Sequence, residues 1–242
     1  MIYLLIPVYN EEQNIPPLVS ALDRAIKDMG ENYRLIFVND GSVDGTPGVI
    51  QKLKDDFPIE MLENSPNQGV GVSFDKGFKH FIQTAGPGDI LITLEGDNTA
   101  DLGTLPKLAA AIRNGNDFAL ASVYSKEGEV VGTTPLRLFL SFTANVLCKL
   151  IFRMPKVNTF SSFYRSYSYE AMRKLYEKFD NRPIAERGYI CMVELLIKLY
   201  RSGYKFAEIP TCLNSQKRLG MSKMKIMQTI QAYFRLFAKH LL

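Results

Sequence analysis

Residues 2–46 read IYLLIPVYNEEQNIPPLVSALDRAIKDMGENYRLIFVNDGSVDGT, and this stretch decides the fold. Ile2–Tyr9 is apolar and nearly continuous, the pattern of a strand buried on both faces. Asn14 is placed to cap the helix that follows, Pro16 and Pro17 suit its first turn, and Leu18, Leu22, Ala25, Ile26 and Met29 form one stripe. Gly30 stands where that helix should end. Tyr33–Val38 is a second buried strand. Each strand runs straight into a polar cluster, Asn10-Glu11-Glu12 after the first and Asn39-Asp40-Gly41-Ser42 after the second. Strand, helix, strand in this order predicts a parallel pair with a right-handed crossover.

The alternation continues downstream. Thr46 is placed to cap and Pro47 to open a second helix, and Ile59–Glu63 is a short strand. Gly69 and Gly71 open a helix through Phe74, Phe78 and Phe81; Asp89–Leu94 is a fourth strand, Leu105–Ile112 a helix and Asp117–Val123 a fifth strand. The class is therefore α/β, a doubly wound and mostly parallel sheet with helices on both faces. Ligands in such sheets sit at the carboxyl ends of the strands. A third polar cluster, Glu95-Gly96-Asp97-Asn98, follows the fourth strand. If the strands are neighbours, Asp40, Glu95 and Asp97 should border a single hollow.

Composition narrows the classes. With 242 residues, 46% hydrophobic and 22% charged, the chain has enough apolar surface for a sizeable core and is no disordered tail, collagen or coiled coil. Three distant cysteines, Cys148, Cys191 and Cys212, make neither a metal cage nor a disulfide framework, which fits a reducing compartment. The opening residues lack a basic n-region and read as a strand, not a signal peptide. No run of ~20 uncharged apolar residues predicts a spanning helix.

Charge is divided along the chain. Residues 1–129 hold 10 Lys and Arg against 19 Asp and Glu; residues 130–242 hold 19 against 6. Val130–Tyr169 and Leu213–Leu242 contain no acid at all. The second half is either a basic soluble surface or the face that meets nucleic acid, anionic lipid or a phosphorylated substrate. Nucleic acid fits least, because the aromatics lie in apolar stripes and not among the basic residues. Leu136–Phe152 reads as a helix with Leu136, Phe139, Leu140, Thr143, Leu147 and Ile151 on one side. Ser222–Leu242 reads as an amphipathic helix with Met224, Met227, Ile230, Tyr233, Phe234, Phe237 and Leu241 at helical spacing among Lys223, Lys225, Arg235 and Lys239. Apolar faces flanked by cations suit an interfacial position on an anionic membrane; core burial is the competing fate. Met192–Tyr200 is a further apolar helix, with Glu194 its single acid, and Lys205–Ile209 a strand.

Two carboxylates one residue apart on a turn, Glu95 and Asp97, can face a common side and hold a hard divalent ion beside phosphates, or be a solvated acidic turn. Asp40 stands nearest its strand end and is placed for ligand contact, whereas Asp44 either meets ligand or caps the next helix. Glu194 is either a general base or the partner of a neighbouring cation, with Glu186 a second candidate base.

Pro7-Val8-Tyr9-Asn10-Glu11, Val38-Asn39-Asp40-Gly41-Ser42 with Asp44-Gly45-Thr46, and the Glu95-x-Asp97 turn together resemble the inverting family 2 glycosyltransferases of the GT-A fold. Asn67–Gly77 (NQGVGVSFDKG) resembles their glycine-rich third motif. The dolichol- and polyprenyl-phosphate sugar synthases are the most similar branch, on Arg137–Leu147 (RLFLSFTANVL), Asn158–Met172 (NTFSSFYRSYSYEAM), Gly188–Leu196 (GYICMVELL) and Gly220–Lys223 (GMSK).

The resemblance implies a GT-A domain over 1–215, with a basic loop and amphipathic helix over 216–242 packed on it or extending it. It implies a UDP- or GDP-linked sugar donor, Mg²⁺ or Mn²⁺, and a polyprenyl phosphate or other lipid acceptor. Pro7, Tyr9, Glu11, Val38 and Asp40 would line the base and ribose pocket. Glu95, Gly96 and Asp97 would hold the diphosphate, with Glu95 and Asp97 on the metal and Asp97 catalytic. Lys217 and Lys223 match positions that grip donor phosphates; Arg218 is near enough to substitute. Arg137 and Arg218 are the candidates for an acceptor phosphate. A hydroxyl acceptor would call instead for a catalytic base such as Glu194. The implied place is the cytoplasmic face of a membrane, peripherally bound, with a membrane protein as a further partner. The sequence departs from the family pattern at Glu95 and Asn39, where aspartates are usual, and at Val123 and Phe142, where arginines are.

Overall fold

The computed structural model describes residues 1–220, 223 and 226–241. Met221, Ser222, Met224, Lys225 and Leu242 lie outside the described residues, as do the side chains of His240 and Leu241; part of the Gly220–Lys223 motif and the ends of the expected terminal helix fall there.

Seven strands form one sheet in the order β3-β2-β1-β4-β7-β5-β8. They are β1 Ile2–Val8, β2 Tyr33–Asp40, β3 Ile59–Asn64, β4 Ile90–Thr93, β5 Phe118–Ser122, β7 Arg165–Ser168 and β8 Phe206–Pro210. β6 Glu129–Val131 and β9 Cys212–Asn214 pair in parallel as a separate ribbon. The helices are α1 Ile15–Asp28, α2 Thr46–Leu53, α3 Val70–Thr84, α4 Leu105–Arg113, α5 Pro135–Ile151, α6 Tyr169–Lys178, α7 Cys191–Arg201 and α8 Ile226–Leu241. β1 pairs in parallel with β2 and β4, with Pro7 opposite Val38, so the ends of β1, β2 and β4 emerge side by side.

β1 shows how the sequence fills both faces. Ile2, Leu4, Ile6 and Val8 point to the layer of α1 and α4, where Leu18, Leu22 and Leu108 lie. Tyr3 and Leu5 point to the opposite layer, where Phe74, Phe78 and Phe81 of α3 meet Met192 and Leu196 of α7. Side chains on a strand alternate with period two, so a continuous apolar run is required when both faces are covered. Each fully buried Leu, Ile or Phe contributes roughly 1.5–3 kcal/mol of burial free energy.

β7 was not visible as a strand in the sequence. It runs antiparallel between β4 and β5 and consists of Arg165, Ser166, Tyr167 and Ser168, the first three buried. Buried polar groups are tolerated only when bonded. Arg165 donates from Nε to Ser162 O at 2.7 Å, and from its terminal nitrogens to Met192 O at 2.8 Å and Phe160 O at 2.6 Å. Ser166 donates to Leu108 O at 3.0 Å.

α5 turns much of its expected apolar stripe outward, the first of the two fates open to it, and not into the core. Its inner side holds Asn145 and Cys148, while Leu136, Phe139 and Leu147 of the predicted stripe are exposed, together with Phe142, Val146 and Leu150. α8 packs beside it through Phe152 and Phe237, 5.7 Å apart, and exposes Met227 and Phe234. Most of the apolar surface of α5 thus faces outward, whereas α8 buries Ala232, Leu236 and Phe237 in the core and exposes Met227 and Phe234 among polar residues.

Candidate active site

The clusters after β1, β2 and β4 meet in one cavity of about 410 Å³. Pro7, Tyr9, Glu11, Asp40, Glu95, Gly96 and Asp97 all line it, so the expected hollow exists. Its far side is formed by α5, with Arg137, Leu138 and Ser141, and by α8, with Ile226, Ile230 and Tyr233. The size lies within the range of small-molecule sites, roughly 300–1,000 Å³.

The loops at the strand ends are stitched by side chains. Asn10, held at φ +55°, accepts from Val43 N, and its own N–H donates to Ser42 Oγ at 2.9 Å. Asp44 accepts from Thr46 N, at the first residue of α2, at 3.0 Å, while Gly45 holds the cap position and Thr46 Oγ1 turns away to accept from Glu11 N at 2.8 Å. The turn after β4 presses on β1: a Cβ on Gly96 would lie 2.7 Å from Val8 Cγ1, so only glycine lets the turn approach. A Cβ on Gly71 would lie 2.0 Å from Glu186 O, which accounts for the glycine-rich start of α3.

Asp40 is buried, and its carboxylate accepts from Gln68 N at 3.0 Å, Gly69 N at 2.9 Å and Asn64 Nδ2 at 2.9 Å, holding the 64–69 loop at the cavity edge. Asp97 Oδ1 accepts from Thr99 Oγ1 at 2.6 Å and Thr99 N at 3.1 Å. Asp97 Oδ2 accepts from Arg218 Nε at 2.7 Å and again from the Arg218 terminal nitrogen. Glu11 Oε1 takes Lys223 Nζ at 2.7 Å and Oε2 takes Asn14 Nδ2 at 2.7 Å. Burial pushes the Glu11 carboxyl up, against the pull of Lys223.

Other expected site residues lie elsewhere. Val38 packs its side chain in the core with Phe74 and does not line the cavity. Lys217 is exposed beside a second hollow, with Leu18, Asn98 and Leu219. Glu194 is buried outside the cavity lining; Oε2 accepts from Ala185 N and Glu186 N, both at 2.9 Å, and Oε1 pairs with Lys198 Nζ at 2.7 Å. Glu186 supplies backbone contacts to Glu194 and α3. Val123 lines the cavity, and Phe142 meets Tyr124 edge-on at 6.0 Å near its rim. Residues outside the predicted set also line or border the cavity, among them Thr99, Tyr189 stacked on Phe163 at 5.7 Å, and Asn14, which makes no helix cap.

Glu95 is pushed up to about 8, first by burial and then by the charge of Asp97. A carboxyl raised in the folded state stabilises the fold below its unfolded value, and that contribution is lost as pH rises through about 8. Carbon NMR of the free protein is therefore expected to show one carboxyl resonance titrating near pH 8 that vanishes in Glu95→Gln. A Glu95 midpoint below pH 5 would refute this environment.

Glu95 and Asp97 line the same cavity, Asp97 already carrying a guanidinium, and carboxylate oxygens are the donors that a hard divalent cation takes. Among the described residues no group of three or more His, Cys, Asp or Glu could hold a metal. The pair fits Mg²⁺ or Mn²⁺, which keep few protein ligands and share the rest with phosphates.

The family model described as glycosyl transferase family 2 matches residues 3–183. The chain is 29% identical over 232 residues to the dolichol-phosphate mannosyltransferase of Pyrococcus furiosus, across 96% of this chain and 61% of that protein's length. It is 26% identical over 234 residues to the polyprenol monophosphomannose synthase of Mycolicibacterium smegmatis, across 96% and 84%. Among solved structures, glucosyl-3-phosphoglycerate synthase from Mycobacterium tuberculosis, in complex with Mn²⁺, uridine diphosphate and phosphoglyceric acid, matches all of this chain and 77% of that one, with a TM-score of 0.68 at 17% identity.

Proposed function

Because the chain belongs to glycosyl transferase family 2 and has the GT-A fold, we propose that it transfers a sugar from a UDP- or GDP-linked donor to a polyprenyl phosphate at a membrane face, inverting the anomeric centre. One observation carries this reading: a single cavity joins the acidic strand ends to α5, whose outer face is apolar and exposed, and to α8, which exposes Met227 and Phe234. The mannosyltransferase and synthase names of its relatives agree with that acceptor. No described helix is long and apolar enough to cross a membrane. Peripheral docking of the α5–α8 face, assisted by Lys and Arg, would bring the cavity to the lipid, on the cytoplasmic side in this reading.

In this assignment Pro7, Tyr9, Glu11 and Asp40 meet base and ribose, with Val38 packed behind them. Glu95, Gly96 and Asp97 lie along the diphosphate. Glu95 and Asp97 would hold a divalent ion, which neutralises charge on the leaving diphosphate when bound. Arg218 and Lys223, already at the cavity, add fixed positive charge where the leaving group develops it, and Lys217 reinforces them from outside. Arg137, on the α5 side, orients the acceptor phosphate. A phosphate oxygen is already an anionic nucleophile and needs no base. The commitment of Glu194 to Lys198 and two backbone amides agrees with that acceptor.

The test is incubation with labelled UDP- and GDP-sugars, Mn²⁺ and polyprenyl phosphate in liposomes. A labelled lipid cleaved by mild acid is expected. A product that resists mild acid, or none with any donor, overturns the acceptor. With the acceptor in liposomes, Leu136→Glu with Phe139→Glu should lower turnover at least tenfold, since each inserted apolar side chain is worth roughly 1.5–3 kcal/mol and a tenfold change needs only about 1.4 kcal/mol.

A further inference from the structure

Asn14 occupies the cap position of α1 but makes no side-chain cap bond. It is 1% exposed, and its amide is shared among three segments far apart in the chain. Nδ2 donates to Glu11 Oε2 at 2.7 Å and to Leu219 O at 2.9 Å; Oδ1 accepts from Leu219 N at 2.9 Å and from Asn98 Nδ2 at 3.2 Å. Its backbone carbonyl accepts a second bond from Asn98 Nδ2 at 2.9 Å. The two bonds to Leu219 run in opposite senses, so the side-chain amide pairs with the N–H and C=O of that residue as a neighbouring strand would. Both amide donors are used. Aspartate would lack them, serine would have one, and glutamine would overshoot.

Leu219 belongs to a strap, Ser215–Gly220, that crosses from β9 to the cavity. Its neighbour Arg218 lies on Asp97, and Lys223 beyond it lies on Glu11. Ser215 is tied to Thr133 at 2.8 Å, just before α5. Leu219 itself is 48% exposed, so apolar burial does little to hold this end down. The Asn14 pairing fixes the backbone directly after Arg218 and four residues before Lys223.

We propose that Asn14 is a positioning residue that latches the basic strap onto the site, setting Arg218 and Lys223 for the donor diphosphate. This rests on the donor reading above, but the latch itself can be measured without a donor.

The experiment compares hydrogen exchange of wild type, Asn14→Ala and Asn14→Asp in the peptide covering 215–220 with that of β1 and β4. In both variants the strap should exchange at least tenfold faster while β1 and β4 stay protected. Asn14→Asp keeps the shape and guards against a folding defect in the alanine variant. Calorimetry with UDP and GDP in Mn²⁺ should show nucleotide affinity falling about tenfold, and the acceptor KM should stay within twofold. Strap exchange equal to wild type in both variants, or faster exchange spread evenly over the whole chain in both, refutes the latch. If wild type binds neither nucleotide while the strap is released in both variants, the donor reading fails and the latch stands.

Discussion

Asp97→Asn is expected to lower kcat by roughly 10²–10³-fold, the scale of losing one preorganised electrostatic contact in an acyl- or phosphoryl-type site. The change is nearly isosteric, and Oδ1 can still accept from Thr99 N and Thr99 Oγ1. What disappears is the charge facing Arg218 and the better half of the carboxylate pair. The circular dichroism spectrum should not change. Raising Mn²⁺ should restore little, because Glu95 alone is a single ligand. Turnover above a tenth of wild type would reject the assignment of Asp97 to the diphosphate–cation site.

Arg165→Ala should produce the largest stability loss, about 3–5 kcal/mol. Three charge-assisted bonds to Ser162 O, Met192 O and Phe160 O disappear, and buried carbonyls lose their donors. For a chain of this size that lowers Tm by roughly 6–20 °C. Arg165→Met fills the volume but supplies no donor, and should recover only part of the loss. Chemical denaturation of the three proteins measures it. A cost below about 1 kcal/mol would mean that β7 does not depend on this side chain.

The parts of the molecule legible in the sequence are those governed by apolar pattern. β1, β2 and β4 are runs that must be apolar because helices cover both faces, and their polar ends had to converge once the strands were neighbours. β7 escaped because its buried residues are polar and become acceptable only through partners at Phe160, Met192 and Leu108. α6 followed it unrecognised, although Ser168 accepts from Ala171 N as its cap. β6 and β9 are three residues each and exist by pairing with one another. Asn14 carried a local helix-cap signal that a tertiary bond to a residue 205 positions away overrode. Arg218 meets Asp97 across 121 positions, a distance at which no spacing rule applies. The α5 stripe was read correctly as apolar, but period alone cannot tell an inward face from an outward one.

The insertion of β7 has a consequence for synthesis. β4 and β5 come early in the chain, yet they touch only through a strand made more than forty residues after β5 ends. A nascent chain halted after β5 carries three unbridged strand edges, one on β4 and two on β5, each open to pairing with another polypeptide. β4 and β5 are joined only after Arg165–Ser168 has left the ribosome, and the other edge of β5 is covered only when Phe206–Pro210 follows, so chaperone demand should peak before β7 emerges and fall in two steps.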